Sequence, residues 1–232
     1  MKKGTKVALG ILGAVLVIGG AAAAWQWNNL SALGYGLTMD RDTLDAKLEE
    51  NQAVLDQAME DYDIGGYAFS EEEVTQLTAG TLSAQEAARK LLEQKEDTAQ
   101  DQPVQEPAGE QPAQPAETQD PETEIKELIA TMYALRASYL GKLDTVVQSA
   151  IDEYTAGEHT ADNRTKVVYS KIDELVAMEK ECDGQVADVV SRLRELLKAT
   201  GQDDTLARQV EETYREEKSL KKAYYLNEFR KG

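Results

Sequence analysis

The sequence predicts an all-α protein: an N-terminal transmembrane helix, a small juxtamembrane helical unit, a disordered Pro/Glu/Gln linker, and a C-terminal antiparallel three-helix bundle of long helices. Three observations lead there. All five prolines (Pro103, Pro107, Pro112, Pro115 and Pro121) fall in or at the edge of one short stretch. Proline inside a helix loses a hydrogen bond and clashes with the preceding turn, so the two long proline-free regions suit helices. In those regions apolar residues recur at spacings of three and four, the period of one helix face. Finally, Lys2, Lys3 and Lys6 precede an uncharged run from Val7 to Ala24.

That run defines the first segment, residues 1–27. Its 18 residues would span about 27 Å as a helix. Trp25 and Trp27 follow, and tryptophan favours the membrane interface, so the span approaches the ~30 Å hydrocarbon core. Lysines on the N-terminal side place that end in the cytoplasm and the rest of the chain outside. Ala21 to Ala24 also offers A-x-A cleavage sites, so a cleaved signal peptide and secretion of the rest is the competing reading.

The second segment, residues 28–96, carries 5 basic and 15 acidic side chains. Leu44, Leu48, Leu55, Met59 and Tyr62 form one stripe on a helix from about Asp40, with Asp40 and Asp42 at its positive end. Gly65 and Gly66 are expected to end it. Ser70 with Glu73 and Ser83 with Glu86 read as capping boxes for two further helices, with Gly80 as a stop between them. The stretch Leu77, Gly80, Leu82, Ser83, Glu86 and Leu91-Leu92 resembles the short helical-hairpin modules of the SHOCT type found at the ends of many bacterial proteins. Ala87 stands where those modules carry an aromatic residue.

The third segment, residues 97–121, has six acidic residues and no basic one. Its Gln, Pro, Glu and Ala cannot bury enough apolar surface to offset ordering entropy, so a disordered acidic spacer is expected.

The fourth segment, residues 122–232, is nearly balanced, with 17 basic and 22 acidic side chains. Asp120 and Pro121 give an N-cap and a proline at the first helical position. Three stripes follow. The first runs Ile125, Ile129, Met132, Arg136, Tyr139, Leu143, Val146 and Ala150. The second runs Val168, Ile172, Leu175, Glu179, Cys182, Val186, Val189, Leu193 and Leu196. The third runs Leu206, Val210, Thr213, Glu217, Leu220 and Tyr224. Gly157 and Gly201 close the first two helices, and Asp203 or Asp204 caps the third. Stripes this wide fit helices with two neighbours, hence an up-down-up bundle. Each stripe is broken by a charge. An antiparallel turn near residues 158–159 brings Arg136 level with about residue 181, within one turn of Glu179, so these two are expected to form a polar pair that fixes register, near Tyr224. Glu217 falls about two turns away. This segment resembles the C-terminal helical domains of exported proteins of Gram-positive bacteria, through Glu179-Lys180-Glu181-Cys182-Asp183 and Glu217 to Tyr225. The resemblance implies location in the envelope and little more.

Composition narrows the function. A net charge of −18 argues against a general nucleic-acid binder, and one cysteine forbids an internal disulfide. One histidine and one cysteine cannot build a Cys/His zinc cluster. His159 lies in a turn, and Cys182 occupies a stripe position as a small hydrophobe beside Glu181 and Asp183. The chain contains no GxSxG, P-loop or dinucleotide fingerprint. The expectation is a non-catalytic protein without cofactor or metal. The basic, aromatic end of the chain offers Lys218, Lys221, Lys222, Tyr225 and Arg230 as a partner surface. The partners expected are the membrane through residues 7–27, a protein or an anionic wall polymer, and a second copy of the chain.

Overall fold

The computed structural model describes residues 32, 34–36, 38–65, 68–99 and 120–231. It is all-helical, and no strand occurs among the described residues. The expected membrane segment and most of the expected linker lie outside those residues. Among the described residues these helices follow in order: α1 Arg41–Asp61, α2 Glu71–Ala79, α3 Ala84–Ala99, α4 Pro121–Ala156, α5 Ala161–Ala199 and α6 Thr205–Lys231. Among the described residues no helix is long and apolar enough to cross a membrane.

Side-chain caps start these helices. The Asp40 carboxylate accepts from the Thr43 amide at 2.9 Å ahead of α1. At α2 the Ser70 hydroxyl accepts from the Glu73 amide while the Glu73 carboxylate accepts from the Ser70 amide, a complete capping box. Ser83 and Glu86 do the same for α3 at 3.2 and 3.0 Å. Ahead of α6 it is Asp203 whose carboxylate accepts from the Thr205 amide. Each cap satisfies an amide that the first helical turn leaves without a partner.

The stops rest on left-handed residues. Gly80 (φ 71°) and Gly201 (φ 75°) end α2 and α5. At each, the glycine amide bonds back three residues, and the next amide bonds back five. α1 ends in the same way but not at a glycine. Asp63, at φ 59°, takes the left-handed position, and the Ile64 amide reaches the Met59 carbonyl at 2.7 Å. Gly65 lies beyond the stop. Asp tolerates this conformation better than most side chains, and buried Ile64 supplies the apolar contact that accompanies such an ending.

The chain folds into two compact units. The first takes in the described residues within 1–55, 142–181 and 209–232, and the second those within 56–141 and 182–208.

In the first unit, Leu44 of α1 packs with Leu220 and Ala223 of α6, flanked by Tyr35, Met39, Leu48 and Tyr224. Lys142 of α4 pairs with Glu181 of α5 at 3.6 Å, and Glu153 pairs with Lys171 at 3.3 Å. Moving forward along α4 means moving backward along α5, so these stretches run antiparallel.

In the second unit, Leu77, Leu82 and Ala87 pack against Ala134, with Phe69, Ala84 and Ala137 around them. The Ser138 hydroxyl donates to the Leu77 carbonyl at 3.1 Å. Phe69 stacks obliquely on Tyr133, with ring centroids 5.5 Å apart. Arg192 of α5 grips Glu124 of α4 through two bonds of 2.6 and 2.9 Å. α3 and the start of α4, on either side of the acidic stretch, thus belong to one unit.

Candidate functional site

The densest set of buried polar and charged side chains in the first unit lies on α6. Glu217, Lys218, Ser219 and Asn227 are all buried there, alongside Leu220 and Ala223. A face that wide is what a helix shows when neighbours cover most of its circumference. α1 covers α6 at Leu220, α5 reaches it at Lys222, and α4 reaches it at Tyr225.

The central feature is an ion pair between Lys222 and Glu179 of α5, with side chains only 14% and 4% exposed. Desolvating two charges is costly, and their attraction offsets that cost only in good geometry. One turn away, the Tyr225 hydroxyl donates to the Asp144 carboxylate of α4. Partial burial pushes the Asp144 carboxyl above its ordinary range, and the nearby Lys221 ammonium opposes that rise. Asp144 and Tyr225 also line a shallow open groove with Gln148, Ile151 and Asp152. On the α1 side, Arg41 donates to the Tyr224 hydroxyl at 2.5 Å. The Arg41 guanidinium and the Lys221 ammonium lie 5.1 and 5.8 Å from the centre of the Tyr224 ring. A cation within about 6 Å of an aromatic face gains from the ring's quadrupole.

The residues expected to form a partner surface therefore separate. Lys218 is 1% exposed and sits 5.6 Å from the Tyr214 ring centre, so it is interior. Lys222 engages Glu179. Lys221 and Tyr225 remain partly exposed beside Asp144. The Arg230 side chain lies outside what the structure describes. The sequence missed the interior positions because it counted two neighbours for α6, and α1 is a third.

Glu179 belongs to the first unit and Arg136 to the second. Arg136 lies near Tyr133, where its charge opposes the upward push of burial on the tyrosine hydroxyl. The partner that the structure does give Glu179, Lys222, had a partial signal in the sequence: about the second interhelical turn, residue 222 falls about one helical turn from the level of 179.

Cys182 is buried on α5. His159 is exposed in the α4–α5 turn, 3.3 Å from the Thr155 carbonyl. Among the described residues no group of His, Cys, Asp and Glu is placed to hold a metal ion. The α6 cluster fastens helices: Lys222 meets Glu179 of α5, Tyr225 meets Asp144 of α4 and Tyr224 meets Arg41 of α1.

No protein family, curated protein or solved structure matches the chain.

Proposed function

We propose that this chain is a non-catalytic, single-pass, membrane-anchored scaffold or interaction protein of a bacterial envelope, with its bulk outside the cytoplasm. The observation that carries the reading is the N-terminal sequence: three lysines, an uncharged run from Val7 to Ala24, then Trp25 and Trp27. The resemblance of residues 122–232 to exported helical proteins of Gram-positive bacteria points the same way. The scaffold part draws support from the α6 cluster, whose charged groups join helices to one another. We also propose that α4, α5 and α6 form the antiparallel three-helix bundle that their apolar stripes predict. Supporting it are the Lys142–Glu181, Glu153–Lys171 and Lys222–Glu179 pairs in the first unit and the Arg192–Glu124 pair in the second. A protein or an anionic wall polymer is the partner, received at the exposed part of the basic end around Lys221 and Tyr225. Self-association and service as an accessory subunit of a wall enzyme are further forms of the same role.

A second reading has its own observation: Ala21 to Ala24 supplies a signal-peptidase site. Fractionation of expressing cells with intact-mass measurement separates the two. The anchor predicts full-length mass in the membrane fraction. A mature N-terminus near Trp25 in the medium would overturn it in favour of a secreted helical protein.

A further inference from the structure

We infer that residues 39–55, Met39 with the first-unit part of α1, form a detachable strap over α6: it opens as a piece while α6 stays folded, uncovering the face of Leu220, Ala223 and Asn227. This goes beyond the scaffold reading and does not depend on the anchor.

Three features of the contact support it. Among the described residues its buried apolar centre is small, with Leu44 packed on Leu220 and Ala223 and the other apolar neighbours only partly buried. One of its polar fasteners is in water: the Arg41–Tyr224 bond is exposed, so solvent replaces it at little cost when the strap lifts. Its interior carries polar atoms that closing has stripped of water without giving them a partner. Asn51 of α1 is buried, seven residues beyond Leu44 on the same helix face, and its Nδ2 has no hydrogen-bond partner. Asn227 of α6 donates through Nδ2 to the Met39 carbonyl at 3.2 Å, which fixes its amide orientation and leaves the buried Oδ1 without a partner. A buried amide atom with no partner is a standing cost of the closed form. Opening hydrates both atoms and returns part of that cost. Elements held by few apolar contacts and by solvent-exposed polar ones open below the free energy of global unfolding. The Lys222–Glu179 pair is of the opposite kind, closed off from water and holding α6 to α5.

Native-state hydrogen exchange of the full chain in mild detergent tests this. After correction for intrinsic rates, amides of residues 44–55 are expected to exchange at least tenfold faster than those of residues 214–223. Asn51→Leu should slow the α1 amides at least threefold and leave α6 unchanged. Leu44→Ala should speed α1 alone. A rate gap below tenfold in the wild-type chain, or equal acceleration of α1 and α6 by Leu44→Ala, would overturn the strap, because the two would then unfold as one.

Discussion

Lys222 of α6 meets Glu179 of α5 with both side chains largely removed from water. Removing one member of such a pair strands a charge where water cannot solvate it well. Glu179→Ala is expected to lower stability by about 3 kcal/mol, within the range for breaking a buried pair. The double variant Glu179→Leu/Lys222→Leu should recover most of that loss, since a well-packed apolar pair of similar volume is often neutral. Urea denaturation of the single and double variants measures both. A double variant no better than the single would count against the pair as the source of the loss.

The capping boxes give a local prediction. Ser70→Ala and Ser83→Ala each remove the acceptor for an amide in a first turn, and each should cost about 1 kcal/mol. Ser83→Gly should cost only a few tenths. Thermal unfolding followed by circular dichroism distinguishes the two substitutions.

Two carboxyls linked to caps predict a pH response. The Ser83 hydroxyl and amide hold the Glu86 carboxyl below its ordinary 4.5, and Thr205 holds Asp203 below its ordinary 3.8. A depressed folded pKa means that the folded chain binds fewer protons than the unfolded one in the interval below the ordinary value. The stabilisation is therefore fully present above that value and is lost as pH falls through the folded pKa. Carboxyl titration by NMR should find both midpoints below the ordinary values, with Ser83→Ala returning Glu86 towards 4.5.

Asp144 should behave in the opposite sense. Burial raises its pKa above 3.8, and Lys221 restrains the rise. The folded state then holds its proton more tightly, so Asp144 favours folding at low pH and costs stability as pH climbs through the raised value. Lys221→Gln should move the Asp144 midpoint further upward in the same titration. An unchanged midpoint would show that Lys221 does not act on this carboxyl.

Gly141 on α4 predicts a reversal of the usual helix rule. Replacing a mid-helix glycine by alanine ordinarily gains about 1 kcal/mol. Here a Cβ at Gly141 would collide with the Thr78 side chain of α2. Gly141→Ala is expected to lose that gain and to destabilise by up to about 2 kcal/mol. In a Thr78→Ala background the same change should stabilise. The coupling comes from a double-mutant cycle.

Much of the local structure was legible because it is written in neighbouring residues. Ser70 with Glu73, Ser83 with Glu86, and the glycines at 80 and 201 each specify a start or stop within a few positions. The end of α1 was harder to place, since an aspartate takes the left-handed position two residues before the first glycine. The packing of α1 on α6 left no comparable trace. Leu44 and Leu220 are far apart in sequence, and nothing in either stripe names the other. For the same reason Lys218 read as a surface lysine: its burial depends on how many neighbours α6 has, which a helical period does not record. The charge at Glu179 was visible as an interruption of the α5 stripe, while its partner Lys222 lay off the α6 stripe.

The second unit holds α3 and the start of α4 on either side of the acidic stretch, and this sets a thermodynamic role for that stretch. Residues joined through it meet as parts of one molecule, at an effective concentration set by the connecting length rather than by how much protein is present. Because closure entropy grows only logarithmically, doubling the stretch should cost about 0.6 kcal/mol. Cutting it changes more. A single proteolytic nick between Ala99 and Asp120 would turn the meeting of Leu82 and Ala87 with Ala134 into an association of two chains. The melting temperature of the nicked protein would then depend on its concentration, while that of the intact chain would not.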